Sequence, residues 1–209
     1  MKNNTHGLKK TLMVLAAFIG TSALHATAIL TVGNIPQTDE NVLLNTGLSG
    51  NPIFGTTNQT GLSVRFSSST AGEILSAPAS GQARVVAVDG AFTNLTIDLP
   101  GATFTSLILN LDASANGFVD FTTTTNTGVE TFDNFALSGS GENFFTFTTS
   151  HNQRYISISL QSDTPVNFVD AAQFRIGGAQ RNIPDGGTTV AMLGMGLVGL
   201  FGLSRRFSA

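Results

Sequence analysis

Between residues 29 and 182, apolar side chains tend to recur at every second position, and no stretch sustains the 3.6-residue apolar period of a helix. Strict alternation sends neighbouring side chains to opposite faces, so each such segment reads as a half-buried strand. Leu62-Ser63-Val64-Arg65-Phe66 follows the pattern, as do Ala83 to Val88, Phe92 to Leu99, and Ile156, Ile158 and Leu160 after Tyr155. Phe104, Leu107, Leu109 and Leu111 continue it, with Ile108 breaking strict alternation. Phe118 to Phe121 leads into Thr122–Thr125, which is β-prone because threonine is branched at Cβ. Phe132, Phe135 and Leu137, then Phe144 to Phe147, and finally Phe168-Val169 and Phe174 to Ile176 complete the series. Asp89-Gly90, Pro100-Gly101 and Asn116-Gly117 mark turns between segments. Residues 29–60 carry weaker signals, with strands expected at Ile29–Val32 and Asn41–Asn45 and loop through Gly47, Gly50, Pro52, Gly55 and Gly61. Roughly eight to eleven short strands with regular turns predict an all-β fold, an antiparallel β-sandwich of jelly-roll type. A solenoid ranks lower, because no fixed repeat is visible.

Such a fold needs enough apolar surface to close a core. Charged residues make up only 11% of the 209-residue chain, but hydrophobic residues reach 41% and Phe alone numbers 16. An ordered domain with a Ser/Thr/Asn-rich exterior accounts for both figures. The charges are segregated. All three Lys (Lys2, Lys9, Lys10) precede the first apolar run, whereas residues 29–182 hold five Arg and twelve acids, 5 − 12 = −7. An acidic, Lys-free domain is a poor polyanion ligand, so nucleic acid is not an expected partner. The absence of Cys removes disulfides, thiolate metal sites and Cys nucleophiles together.

The two ends read differently from the middle. Residues 1–28 form a secretory signal, with Lys9-Lys10 as the positive region, an apolar run from Thr11 to Leu24, and Ala26-Thr27-Ala28 as a small-x-small cleavage site. Export through the Sec route and cutting by signal peptidase would start the mature chain at Ile29. The expected β-sandwich ectodomain spans 29–178, followed by a linker and polar motif (179–189), a short apolar span (190–203) and a basic tail (204–209). The span, Val190 to Leu203, reaches only about 24 Å even when extended to Thr188, against a hydrocarbon core of about 30 Å. Gly194, Gly196, Gly199 and Gly202 interrupt it, and Gly196, Gly199 and Gly202 share a broad helix face. Arg205-Arg206 is the cytoplasmic stop of a transmembrane helix that holds the domain outside.

Ile183-Pro184-Asp185-Gly186-Gly187, the glycine-rich apolar run and Arg205-Arg206-Phe207 together resemble the VPDSG-CTERM variety of PEP-CTERM sorting signals. Ile183 stands in place of the Val and Gly186 in place of the Ser. The resemblance covers about 27 residues. It implies a bacterial protein recognised by an exosortase-type processing enzyme, held transiently in the inner membrane, and released to the cell surface or an exopolysaccharide matrix.

Chemistry inside the domain is harder to locate. Asp112-Ala113-Ser114-Ala115-Asn116-Gly117 has the opening oxygens of a calcium loop, but Thr123 occupies the twelfth position where a bidentate Glu belongs, so a strand-connecting turn is expected. A structural calcium pinning the first and last strands would draw on Asp39, Glu40 and Asp170. His151 has no triad around it and the chain has no G-x-S-x-G elbow. Asp120 with Glu130 or Asp133 is one of many carboxylate pairs that twelve acids allow, and nothing singles it out. The mature chain lacks Trp and has Tyr155 as its one Tyr, which is spare for a glycan site built on aromatic platforms. The expectation is a non-enzymatic structural or adhesive sandwich. A carbohydrate-binding jelly roll is the alternative.

Overall fold

The structure, a computed structural model, describes residues 27–182. The signal segment through Ala26, the motif Ile183–Gly187, the span 190–203 and Arg205-Arg206 lie outside the described residues.

The alternating pattern is realised as strands throughout, with no helix among the described residues. The first half holds β1 (Ala28–Val32), β2 (Asp39–Leu44), β3 (Ser49–Gly50), β4 (Ile53–Thr57), β5 (Ser63–Ser67), β6 (Leu75–Ser76), β7 (Gly81–Gln82), β8 (Arg84–Ala87) and β9 (Asn94–Asp98). The second half holds β10 (Ala102–Thr103), β11 (Ser106–Ala113), β12 (Gly117–Thr125), β13 (Gly128–Leu137), β14 (Asn143–Thr149), β15 (Tyr155–Ser162), β16 (Phe168–Gly177) and β17 (Gln180–Arg181). Ser114-Ala115-Asn116 is the tight connection between β11 and β12, as a strand-connecting turn requires.

The strands form two antiparallel layers. One runs β1-β14-β11-β16 with β8 and the start of β2, and the other runs β4-β5-β9-β15-β12-β13. β2 turns the corner: residues 39–41 pair with β16, and Val42 and Leu43 pair with β4. The inner faces meet through aromatic rings. Phe66 and Phe174 lie 4.8 Å apart between centroids, and Phe121 lies 4.8 Å from Phe145 and 5.1 Å from Phe147. All five rings are fully buried, and each contributes about 2–3 kcal/mol through burial. The two ends of the strand path, β1 and β13, come together where the Ala28 amide donates to Glu130 Oε1 at 3.1 Å. The sandwich is therefore close to a closed barrel.

Two segments differ from the sequence reading. The stretch 47–61, expected as loop, contains β3 and β4. Gly55 disguises β4, yet a Cβ there would sit 2.8 Å from the Leu43 carbonyl, so the approach of β2 demands glycine. Phe168-Val169 and Phe174–Ile176 are not separate strands but one, β16, which carries a bulge where its register to β11 shifts between Ile108 and Asn110. Gln173 takes a left-handed backbone there, φ 55°.

Candidate functional site

Leu107, Leu109 and Leu111 of β11 point into the core, which places Asn110 and Asp112 on the outer face of that layer. Beside them on β16 lie Ala172, opposite Asn110, and Asp170, opposite Asp112. Arg84 of β8 pairs across from Ala172. With Gly141 and Glu142 from the turn before β14, and with Gln173, these residues line an open cleft of about 460 Å³. The turn is positioned by close packing. A Cβ on Gly139 would meet Ala115 Cα at 2.5 Å, and its amide donates to Asn116 Oδ1 at 2.8 Å.

The cleft concentrates three departures from local consistency. Asn110 is 9% exposed, and its side-chain oxygen is buried without a hydrogen-bond partner. Such an atom forfeits its hydration, a cost of about 1–3 kcal/mol. Asp112 and Asp170 face each other directly across the strand pair, an unfavourable like-charge contact. Arg84 offsets it from one side, donating from Nε to Asp170 Oδ2 at 2.9 Å and from Nη2 to the same oxygen. Gln173, at the bulge, holds a backbone conformation uncommon for residues other than Gly, Asn and Asp. Strained or unsatisfied groups of this kind cluster where a fold has been adapted to a ligand. One Arg against Asp112, Glu142 and Asp170 leaves the lining acidic.

The acids considered for calcium do not converge. Glu40 lies opposite Ile176 and Asp39 opposite Gly177, whereas Asp170 is six residues along β16 from Ile176, about 20 Å away. The Glu40 carboxylate is already engaged: Oε2 accepts the amides of Gln59 (2.7 Å) and Thr60 (2.8 Å), and Oε1 accepts the Thr60 hydroxyl (2.6 Å). It ties β2 to the β4–β5 turn. Asp39 Oδ2 is buried without a partner, and Asp170 is held by Arg84. Among the described residues, no three His, Cys, Asp or Glu side chains are grouped to hold a metal ion. A calcium shared by Asp39, Glu40 and Asp170 is thus not what the fold assembles, because the strand register separates them.

Two of the other nominated side chains, Asp120 and Glu130, have structural partners. Asp120 accepts the Asn134 amide at 2.7 Å, and Glu130 accepts from Ala28 and from Gln153 Nε2. His151 is exposed in the β14–β15 turn with φ 51°. Ala28 and Ile29, which flank the expected signal cleavage bond, both lie in β1. Of the cleft residues, the sequence singles out Asp170, as a calcium candidate, and Asp112, as the start of a calcium-like loop read as a turn. Asn110 and Asp112 were visible as the two polar positions in an otherwise apolar run, Leu107-Ile108-Leu109-Asn110-Leu111-Asp112, but Arg84, Glu142 and Gln173 reach the site only through tertiary pairing.

No curated protein matches the chain. Among solved structures, a family 29 carbohydrate-binding module is matched at 11% identity, with 74% of this chain and 89% of that chain covered and a TM-score of 0.26. Another structure of a family 29 module is 14% identical over 73% of this chain and 90% of that chain, TM-score 0.27. A third, complexed with mannohexaose, is 12% identical over 73% and 90%, TM-score 0.26. Residues 183–207 match the VPDSG-CTERM motif, so the C-terminal tag is a sorting signal of that kind and points to export toward the cell surface.

Proposed function

We propose that the chain is an exported surface or matrix protein, cut by an exosortase-type enzyme at its C-terminal tag, whose jelly-roll-like sandwich is non-enzymatic and adhesive. The match of residues 183–207 to the sorting motif carries this reading. Intact-mass analysis of protein collected from the cell surface tests it. A C-terminus within 183–188 is expected; mature protein ending at Ala209 overturns it.

A second reading places a neutral glycan in the cleft on β11 and β16, and the buried, unpartnered oxygen of Asn110 favours it. Sugar hydroxyls both donate and accept, so they satisfy an amide oxygen and carboxylates in one contact. The half-buried ring of Phe144, opposite Asn110 on the same outer face, supplies an apolar flank for a sugar ring. The acidic lining disfavours polyuronates. Affinity gels containing glucomannan, xylan or alginate check this. Retardation by a neutral polymer, lost in Asn110→Leu, is expected; retardation by alginate alone, or none by any polymer, sinks the glycan reading and leaves export untouched.

A further inference from the structure

The domain lacks the side chains for the commoner covalent braces. No Lys follows Lys10 and the sequence has no Cys, so neither a lysine isopeptide nor a disulfide is open to residues 29–182. A different set of groups meets where the β12–β13 hairpin touches the turn before β15. Gln153 is 1% exposed, and its Nε2 donates to Thr125 Oγ1 at 3.0 Å, Thr127 Oγ1 at 2.9 Å and Glu130 Oε1 at 3.0 Å. Thr125 is 4% exposed, and the two threonine hydroxyls lie 3.1 Å apart. The carboxylate only accepts, which fixes the end of the Gln153 amide that faces it as nitrogen. Gln153 Oε1 is then buried without a partner. A carboxamide, two hydroxyls and a carboxylate are thus packed against one another at the end of the sandwich.

We infer that Thr125 and Gln153 join as an intramolecular ester, formed once per chain with release of ammonia. Thr125 Oγ1 attacks Gln153 Cδ; the Cδ–Oγ1 bond forms and the Cδ–Nε2 bond breaks. Thr125 gives its proton to Thr127 Oγ1, Thr127 passes its own to Nε2, and the nitrogen leaves as NH3. One proton moves, nothing is oxidised or reduced, and no co-reactant is needed. The amide C–N bond is about 1.3 Å long, so Cδ lies no more than roughly 4.3 Å from Thr125 Oγ1. Rotation of the amide brings it to an attack separation of about 3–3.5 Å. The Glu130 carboxylate, beside Nε2, stabilises the positive charge that develops as the nitrogen takes up its proton. The orphaned Oε1 favours the product, because an ester oxygen is a weaker acceptor than an amide oxygen and costs less to leave unpaired. Burial of Thr125 and Gln153 shields the ester from water, whereas Thr127 is exposed, so Thr125 is the nucleophile and Thr127 the relay. The closed ring spans residues 125–153 and contains β13 of one layer and β14 of the other. The ester thereby staples the two layers and restricts the unfolded chain as a disulfide would.

Peptide mapping tests the bond directly. The full chain is held folded near neutral pH, then denatured in mild acid and digested with a protease that cuts after Glu. Cuts after Glu130 and Glu142 place residues 125 and 153 in different peptides unless a bond joins them. Mass spectrometry is expected to find those peptides as one species, lighter than their sum by one ammonia. Mild base then separates them and leaves a carboxylate where the Gln153 amide stood. A succinimide at Asn116-Gly117 also loses ammonia but joins no peptides, so it is told apart. Thr125→Val abolishes the linked species, Thr125→Ser retains it, and Glu130→Gln slows its appearance at least about tenfold. Circular dichroism confirms that each variant is folded, and Thr125→Ser keeps the test valid if Thr125→Val is not. Separate peptides with Gln153 unmodified after prolonged incubation overturn the ester, as does a linked species that survives in folded Thr125→Val. Either result stands apart from export and from glycan retention.

Discussion

Asn94 and Asn110 are each 9% exposed, and each sits on the outer face of one of the two layers, Asn110 between Leu109 and Leu111 and Asn94 at the start of β9 before Leu95. Their surroundings are opposite. Asn94 Oδ1 accepts the Ser69 amide at 2.7 Å and the hydroxyls of Ser68 and Ser69, and its Nδ2 donates to Thr70 Oγ1 at 2.6 Å. Asn110 keeps a buried oxygen with no partner. The same contrast extends to the charges and the bulges. On the Asn94 face, Arg65 stands directly opposite Asp98 and bonds it at 2.9 Å; on the Asn110 face, Asp112 stands opposite Asp170. The bulge on the first face places Asn134, a residue that tolerates left-handed backbone, where Asp120 accepts its amide. The bulge on the second places Gln173. The Asn94 face also carries a row of hydroxyls in register across five strands: Thr131, Thr122, Ser159, Thr96 and Ser67. One face has been settled for stability. The other keeps one unmet polar atom, the Asn110 oxygen, beside the cleft.

The largest difference lies in the two asparagines. Asn94→Leu removes the acceptor for the part-buried Ser69 amide and for two hydroxyls, and is expected to cost about 3 kcal/mol. Asn110→Leu replaces an unsatisfied amide by an apolar group of similar size, and is expected to stabilise by about 1 kcal/mol. Urea denaturation with unchanged slope measures both. If Asn110→Leu destabilises as much as Asn94→Leu, the two faces are alike and the cleft loses its distinguishing mark.

The contrast also explains how much was readable beforehand. Layered antiparallel strands follow from residues such as Val64, Phe66, Leu95 and Ile97, whose spacing alone sends them to one face. Alternation likewise told which side of β11 Asn110 occupies. It could not tell what lies across from Asn110, because the pairing of β11 with β16 joins residues some sixty positions apart and a bulge shifts its register. Asp39, Glu40 and Asp170 show the same limit. Their strands, β2 and β16, are neighbours but are neither the first nor the last of the fold, and the register sets the residues far apart along β16. The β4 strand was hidden for a local reason, since Gly55 is required by contact with β2 and reads in sequence as a loop residue.

The two ion pairs sharpen the comparison further. Both arginines are about half exposed, 45% for Arg65 and 54% for Arg84, and their carboxylates are largely buried, 11% and 9%. The hydrogen bond and then the charge of Asp98 hold Arg65 above its ordinary pKa. Arg65→Ala leaves Asp98 opposite Ser157, and a loss of about 1 kcal/mol is expected after allowance for solvent screening. Arg84→Ala leaves Asp170 facing Asp112 uncompensated, and about 2 kcal/mol is expected. Adding Asp112→Asn to Arg84→Ala recovers part of that loss, a coupling that a double-mutant cycle reads directly. Equal costs for the two arginines, or strict additivity in the cycle, would mean that the two acids do not sense each other.

The smallest effect is the most telling because it changes sign between the faces. Asp98→Asn weakens a favourable cross-strand contact and is expected to lower stability by about 1 kcal/mol. Asp112→Asn removes a like charge and is expected to raise stability by about 0.5 kcal/mol. The gain is electrostatic and partly exposed, so raising NaCl from 0.05 M to 1 M shortens the screening length from above 10 Å to about 3 Å and shrinks it. A gain that persists undiminished in salt reflects packing rather than charge. If the cleft holds a neutral glycan through its carboxylates, Asp112→Asn also weakens retention in a glucomannan gel while stabilising the fold, so stability and binding move in opposite directions at one residue. No such opposition is expected at Asp98, whose partners are already satisfied within the protein.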